Sequence, residues 1–310
     1  MDNTKELCNK LRYLVNKKRS FGEICNELGL KDYEVLGLIS LMRQNGVLID
    51  YVDGEIIKLK RPVKNNDVYE VPNIKENISL LLISDTHLCS KYDRLDILNY
   101  LYDKAQDRGV QYILHSGDFT DGRSHRPEHI YELKELSYDG QVEYCVDKYP
   151  KFDGKTYVIS GNHDDWWYKS TGSEIVKSIA NQRDDIVYLG SNVADLKIGK
   201  LKIRLFHGSG GNSYARSYRV QKYLDSIPLD ERPDILQTGH IHRSFYMKQD
   251  NTHCFQTSCL EDLTPFARSK GFVNDKSVWW VDVKMDNKGN VTNINQELEV
   301  FDTKKLVRRK

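Results

Sequence analysis

Five short segments place metal-binding side chains directly after apolar runs: Asp85-Thr86-His87, Gly117-Asp118-Phe119-Thr120-Asp121, Gly161-Asn162-His163-Asp164, Phe206-His207-Gly208 and Gly239-His240-Ile241-His242. Their donors are carboxylate and amide oxygens and imidazole nitrogens, with no thiolate. That set suits Mn²⁺, Fe or Zn²⁺. Two divalent ions about 3.5–4 Å apart need a shared ligand, and a carboxylate with two oxygens can bridge them. Such a pair lowers the pKa of a trapped water and stabilises charge on a phosphoryl group, so phosphate ester hydrolysis is the natural use. Taken singly, each segment has an ordinary reading. Gly117-Asp118 is a strand-to-helix turn with an N-cap Asp, Gly161-Asn162 is a turn signal, and His207 is a satisfied structural histidine. The ordered set of five reverses those readings.

The elements that must position these residues are short, buried strands. Ser79–Ser84 leads into Asp85, Val110–Leu114 into Gly117-Asp118, Thr156–Ser160 into Gly161-Asn162, Leu201–Phe206 into His207, and Asp234–Thr238 into Gly239-His240. In a sheet covered on both faces, polar groups gather beyond the carboxyl ends of the strands. Segments far apart in sequence then meet on one rim.

The set D-x-H, G-D-x-x-D, G-N-H-D, H-G and G-H-x-H resembles the calcineurin-like metallophosphoesterase superfamily over roughly residues 77–300. The resemblance implies an α/β fold, a four-layer αββα sandwich, with Tyr246–Phe301 supplying closing strands of the second sheet. It implies that Asp85, His87 and His242 bind one metal, that Asn162, His207 and His240 bind another, and that Asp118 bridges both. His163 is then the general acid, and Asp164 orients it from behind. Asp121 stands behind the ligands or caps a helix, and Asp165 is a solvated loop carboxylate. The implied mechanism is direct hydrolysis by a hydroxide bridging two divalent ions, Mn²⁺ first among them. The metal motifs also resemble nucleases of the same superfamily, which end the G-D motif with His where this chain has Asp121. A phosphodiester, nucleic acid or nucleotide, is the favoured substrate. The alternatives are a small-molecule or protein phosphomonoesterase, and a DNA-binding regulator that uses the fold as a scaffold.

Composition agrees with a globular enzyme: 39% hydrophobic, 29% charged and a formal net charge of +1, which excludes neither a polyanionic nor a neutral partner. No apolar stretch approaches the length of a spanning helix, and the first residues lack a signal-peptide core. The six cysteines contain no C-x-x-C pair and read as reduced thiols in a cytoplasmic setting.

Residues 1–65 form a separate unit. Helical spacing covers Lys5–Val15, Ser20-Phe21-Gly22-Glu23 is a capping-box signature, and Asp32 caps a helix to Gln44. Val47–Val52, Asp53-Gly54 and Glu55–Lys60 read as a hairpin. Three helices and a hairpin resemble a winged helix-turn-helix domain. Twelve Lys and Arg against nine Asp and Glu leave this unit at only +3, with basic clusters Lys17-Lys18-Arg19 and Lys58-Lys60-Arg61. Base readout favours Arg, Lys, Asn or Gln early in the recognition helix, where this chain has Asp32, Glu34 and Val35. Nucleic acid is therefore one partner for this unit, and protein contact or self-association is the other. Residues 66–76 read as a linker and 77–310 as the catalytic domain.

Two insertions shape the substrate pocket. In Gly122–Tyr149, Arg123 and Arg126 are candidates to clamp a phosphate, before an amphipathic stretch over Ile130–Tyr144. Gly208–Asn212 is a glycine-rich loop, and a helix is expected from Tyr214, with Arg216 or Arg219 receiving an anion at its start. Trp166 stands beside the Asn162-His163 motif as a stacking surface for a base. The final Lys304–Lys310 is a basic tail.

Overall fold

The computed structural model describes residues 2–15, 19–44, 49–52, 55–58, 68–71, 77–211 and 213–301. The chain divides into two compact units, Met1–Asn66 and Asp67–Lys310. Lys17-Lys18, Asp53-Gly54, Lys60-Arg61, most of the expected linker and the tail Lys304–Lys310 lie outside the described residues.

The first unit contains α1 (Asp2–Leu14), α2 (Phe21–Leu28), α3 (Asp32–Gln44) and an antiparallel pair, β1 (Ile49–Val52) and β2 (Glu55–Lys58). The capping box is formed: Glu23 N–H donates to Ser20 Oγ at 3.3 Å, and Ser20 N–H donates to the Glu23 carboxylate at 2.7 Å. Gly29, at φ +66°, ends α2 in the left-handed conformation that favours glycine. Leu11, Ile24, Val35, Ile39 and Ile49 close a common core. Each buried side chain of this size contributes roughly 1.5–3 kcal/mol. Tyr33 and Leu36 of α3 remain exposed.

The second unit begins with β3 (Tyr69–Val71), β4 (Asn77–Ile83), α4 (Leu95–Asp107), β5 (Tyr112–His115), α5 (Tyr138–Lys148) and β6 (Lys155–Ser160). It continues through α6 (Asp165–Thr171), α7 (Ile175–Ala180), β7 (Ile186–Ser191), β8 (Val193–Ile198), β9 (Leu201–Phe206) and α8 (Tyr218–Asp225). β10 (Ile235–Thr238), β11 (Phe245–Gln249), β12 (Thr252–Gln256), α9 (Pro265–Ser269), β13 (Ser277–Met285) and β14 (Val291–Val300) complete it. One sheet has the order β14-β13-β4-β5-β6-β7, and the other β11-β12-β10-β9-β8-β3.

Alternation within β4 explains why its sequence is apolar throughout. Leu81 and Ile83 pack with α4, α5 and α7, whereas Ile78, Leu80 and Leu82 pack against the second sheet. Ile113 and Leu114 of β5 split the same way. On the far side, Val220 and Leu224 of α8 pack against Leu236 and Cys254. Helices, two sheets and a helix make the αββα order.

Three expectations change. Tyr69–Val71, placed in the linker, pairs with Leu196–Ile198 as an edge strand of the second sheet. β11 and β12 do extend that sheet, but β13 pairs antiparallel with β4 of the first, because Val278 and Trp280 bury in the helix-covered core. Ile130–Tyr144 is not one helix: a 3₁₀ turn over Pro127–Tyr131 is followed by α5, capped by Ser137. Among the described residues, no helix is long and apolar enough to cross a membrane.

Candidate metal centre

The five motifs lie just past five strand ends: β4, β5 and β6 of one sheet, β9 and β10 of the other. The first two loops are tied together, with Asp85 N–H donating to Gly117 O, His87 N–H to Asp118 O and Leu88 N–H to Phe119 O. Asp85, His87, Asp118, His240 and His242 all have φ between +43° and +72°. Non-glycine residues hold that conformation only where the surroundings fix it. Gly161 permits a close approach in the rim, since a Cβ there would collide with Asp118 and stand 2.7 Å from His207 Cε1.

Three donor groups form among the described residues, one of them His87, Asp121 and His163 and the other two built on Asp118. Asp85, His87, Asp118 and His242 each bring a ligand atom within 4.8 Å of the others, and so do Asp118, His207 and His240. Asp118 belongs to both. His207 shows why the groups fit cations. Its Nδ1–H donates to Ser116 O at 2.9 Å, leaving a lone pair on Nε2. That lone pair faces Asp118 Oδ2 at 3.2 Å and Asn162 Oδ1 at 3.0 Å, both acceptors. His87 repeats the pattern: Nδ1 is held by Asp121 Oδ1 at 3.2 Å, and Nε2 faces His242 Nε2 at 3.2 Å. Converging lone pairs repel unless a cation or a proton stands among them. Burial opposes charging of the His207 ring, but the Asp118 and Asp85 carboxylates and the Ser116 carbonyl together outweigh burial and push its pKa up to about 9. Oxygen and imidazole donors sharing one carboxylate suit two hard or borderline divalent cations.

His163 stands at the cleft beside these groups. Its Nδ1 lies 3.0 Å from Asp121 Oδ1 and its N–H donates to Asp118 Oδ1 at 2.8 Å. Burial lowers its pKa, yet Asp118 and Asp121 together push it up to about 10. The orienting carboxylate is therefore Asp121, not Asp164. Asp164 is consumed by Gly161 N–H, Phe119 N–H, Thr120 N–H and the Thr120 hydroxyl, and so locks the two loops together. Asp121 is buried and also receives His129 Nε2–H at 3.0 Å, so three imidazoles converge on it. Asp165, expected in solvent, accepts from Ser160 Oγ and Asn192 Nδ2.

The centre opens into a cleft of about 740 Å³. Trp166 and Arg126 line it, with the Arg126 guanidinium 3.7 Å over the Phe266 ring and 3.6 Å from the Glu132 carboxylate. Arg123 is not among the lining residues; it donates to Leu136 O on the exposed side. Arg216 is exposed and precedes α8, which starts at Tyr218 rather than Tyr214. Sequence reasoning assigned no role to His129 or Glu261. Glu261 lines the cleft, is 4% exposed, and its Oε1 has no partner among the described residues. Burial pushes its pKa up to about 7. No motif marks it, because it comes from the loop after β12, beyond the last ligand.

The family model described as the calcineurin-like phosphoesterase superfamily domain matches residues 78–258. The chain is 26% identical over 306 residues to the DNA polymerase II small subunit of Methanocaldococcus jannaschii, covering 83% of this chain and 49% of that protein. It is 25% identical over 286 residues to the subunit of the same name from Thermoplasma acidophilum, covering 80% and 57%. The chain thus spans about half the length of the curated relatives it matches. A solved structure of a novel archaeal phosphodiesterase covers 72% of this chain and all of its own, with 14% identity and a TM-score of 0.44.

Proposed function

Because the chain belongs to the calcineurin-like phosphoesterase superfamily, we propose that it is a metal-dependent phosphodiesterase acting on a nucleotide or nucleic acid. One observation carries the reading: two groups of mutually facing lone pairs share Asp118, and His163 stands beside them at the mouth of a cleft. Asp85, His87, Asp118 and His242 would hold one cation, and Asp118, Asn162, His207 and His240 the other, with Mn²⁺ the preferred metal. When bound, such a pair neutralises charge on a phosphoryl group and makes a neighbouring water more acidic. His163 holds a proton for the leaving oxygen, and Asp121 fixes its ring. Asp164 fixes the loop that carries it. The relatives' name, a small subunit of a DNA polymerase, supports a nucleic-acid setting.

The first unit serves, in this reading, as a winged-helix-like partner-binding module. The exposed Tyr33 and Leu36 favour a protein surface over base edges. The free cysteines support a reducing, cytoplasmic setting.

The test is hydrolysis of bis(p-nitrophenyl) phosphate and p-nitrophenyl phosphate with Mn²⁺, with EDTA and Asp118→Asn as controls. Diester turnover that needs both metal and Asp118 is expected, with His163→Ala losing turnover but retaining metal. Bound metal without turnover of either ester would overturn the reading in favour of a scaffold.

A further inference from the structure

A second cavity, of about 470 Å³, lies across a thin wall from the metal cleft. Gly208, Ser209 and Ile241 line both, so the glycine-rich loop is the partition between them. The chemistry changes across it. The metal cleft is rich in carboxylates, whereas the lining of the second cavity contains none and includes Arg219 and Lys222 of α8. The sequence shows the same bias: Leu205 to Leu224 carries Arg216, Arg219 and Lys222 without one Asp or Glu. Aromatic rings alternate with these cations. Tyr223 stacks on Phe206 at 3.7 Å as part of the lining, while Tyr218 is 52% exposed with Lys222 Nζ 5.9 Å from its ring centre. Tyr214 is fully exposed just ahead of the helix. Arg219 reaches under the partition and donates Nη1–H to Ser209 O at 2.6 Å, but its Nε is buried with no partner among the described residues.

Cations at intervals with open aromatic faces form the surface that binds a single-stranded polynucleotide, because unpaired bases stack on the rings while the cations follow the phosphates. A small diester would be contained by the metal cleft alone and has no use for a cavity beyond its wall. A duplex keeps its bases stacked internally and leaves the tyrosine faces unused. We infer that α8 and the loop before it form a track for single-stranded nucleic acid: a nucleotide flanking the scissile phosphate occupies the second cavity, its base on Tyr218 and its phosphate between Arg219 and Lys222. This rests on the phosphodiesterase reading for the position of the scissile phosphate, but not for binding itself.

Binding is measured by fluorescence anisotropy of a labelled 12-nucleotide oligothymidylate, with full-length Asp118→Asn protein in EDTA to prevent cleavage. Tyr218→Ala/Lys222→Ala is expected to weaken binding at least tenfold. It also flattens the salt dependence by about 0.7 in log–log slope, one phosphate contact. Arg219→Lys, which keeps a cation under the partition, reports the same site with less risk to the loop and should weaken binding about threefold. Lys148→Ala, an exposed cation on α5 that lines neither cavity, serves as the charge-matched control and should change neither quantity. In active protein, the ratio of oligonucleotide to bis(p-nitrophenyl) phosphate kcat/KM falls with the binding loss. An unchanged Kd and slope in the double variant, or tighter binding of a duplex of equal length, would overturn the track. Loss of binding in the double variant, in a protein that turns over no ester, would refute the enzyme reading and leave the track standing.

Discussion

Asp121→Asn is the sharpest test of how the centre is organised. The carboxylate accepts from His87 Nδ1 at 3.2 Å, His163 Nδ1 at 3.0 Å and His129 Nε2 at 3.0 Å. An amide of the same shape has one acceptor and one donor. Keeping its oxygen toward His87 and His163 turns the NH₂ against His129 Nε2–H. His129 cannot escape by changing tautomer, because its Nδ1 accepts from Ser124 N–H at 2.9 Å. The reverse orientation turns the NH₂ against both His87 and His163, so at least one charge-assisted bond is lost, about 1.5–3 kcal/mol each. If the loss falls on the positioning of His163, kcat drops about 10- to 150-fold, since about 1.4 kcal/mol is tenfold in rate. The assay is Mn²⁺-supported hydrolysis of bis(p-nitrophenyl) phosphate, with metal content measured on the same preparation. Metal occupancy should stay near two per chain, because Asp121 belongs to neither shared donor group built on Asp118. A kcat within threefold of wild type would refute the orienting role, and loss of metal would make Asp121 a support of the ligands instead.

Two more expectations follow from packing. Gly161→Ala drives a Cβ into Asp118 Oδ1 and N and to 2.7 Å from His207 Cε1, so the shared carboxylate must shift; isothermal titration should show both Mn²⁺ sites weakened, at least one of them tenfold. His115 makes acid stability pH-dependent. Burial dominates the surroundings of this ring and lowers its pKa from 6.5 to about 3, while Gly117 N–H donates to Nδ1. The unfolded chain therefore takes up a proton below pH 6.5 that the folded chain refuses until about pH 3. Stability from this group is fully present above pH 6.5 and is lost as pH falls toward 3, at about 1.4 kcal/mol per unit. Urea unfolding of wild type minus His115→Asn should show that slope between pH 6 and 4; parallel curves would refute it.

The rim was legible in the sequence because two codes coincide there: period-two apolar strands buried on both faces, and hard donors directly after them. Asp85, Asp118, Asn162, His207 and His240 each follow such a run, so their convergence on one rim was readable from the strands, while their roles toward metal came from the family resemblance. Asp121 was ambiguous because its role depends on three rings arriving from separate loops, and local sequence gives only its own. Asp164 shows the converse error. Adjacency to His163 suggested contact, but the turn at Gly161 aims its carboxylate at backbone N–H groups of the neighbouring loop. β13 illustrates a limit of alternation, which states that a strand has two faces but not which sheet it joins. The start of α8 was misplaced because Tyr214–Ser217 carry helix-compatible residues without a capping hydrogen bond to fix them.

The backbone of His240 is anchored to Asp85, 155 residues earlier in the chain. Such a connection has consequences for biosynthesis. A nascent chain that has emerged through Gly208, just past β9, presents Asp85, Asp118, Asn162 and His207 but neither His240 nor His242. Contacts this distant in sequence are among the last to close when a protein folds. The full ligand set is therefore complete only once His242 has emerged, with β11, β12, β13 and β14 still to follow. A chain stopped before Gly239 would hold Asp85, His87, Asp118, Asn162 and His207 but lack one imidazole from each donor group on Asp118, and β13 and β14 from the first sheet.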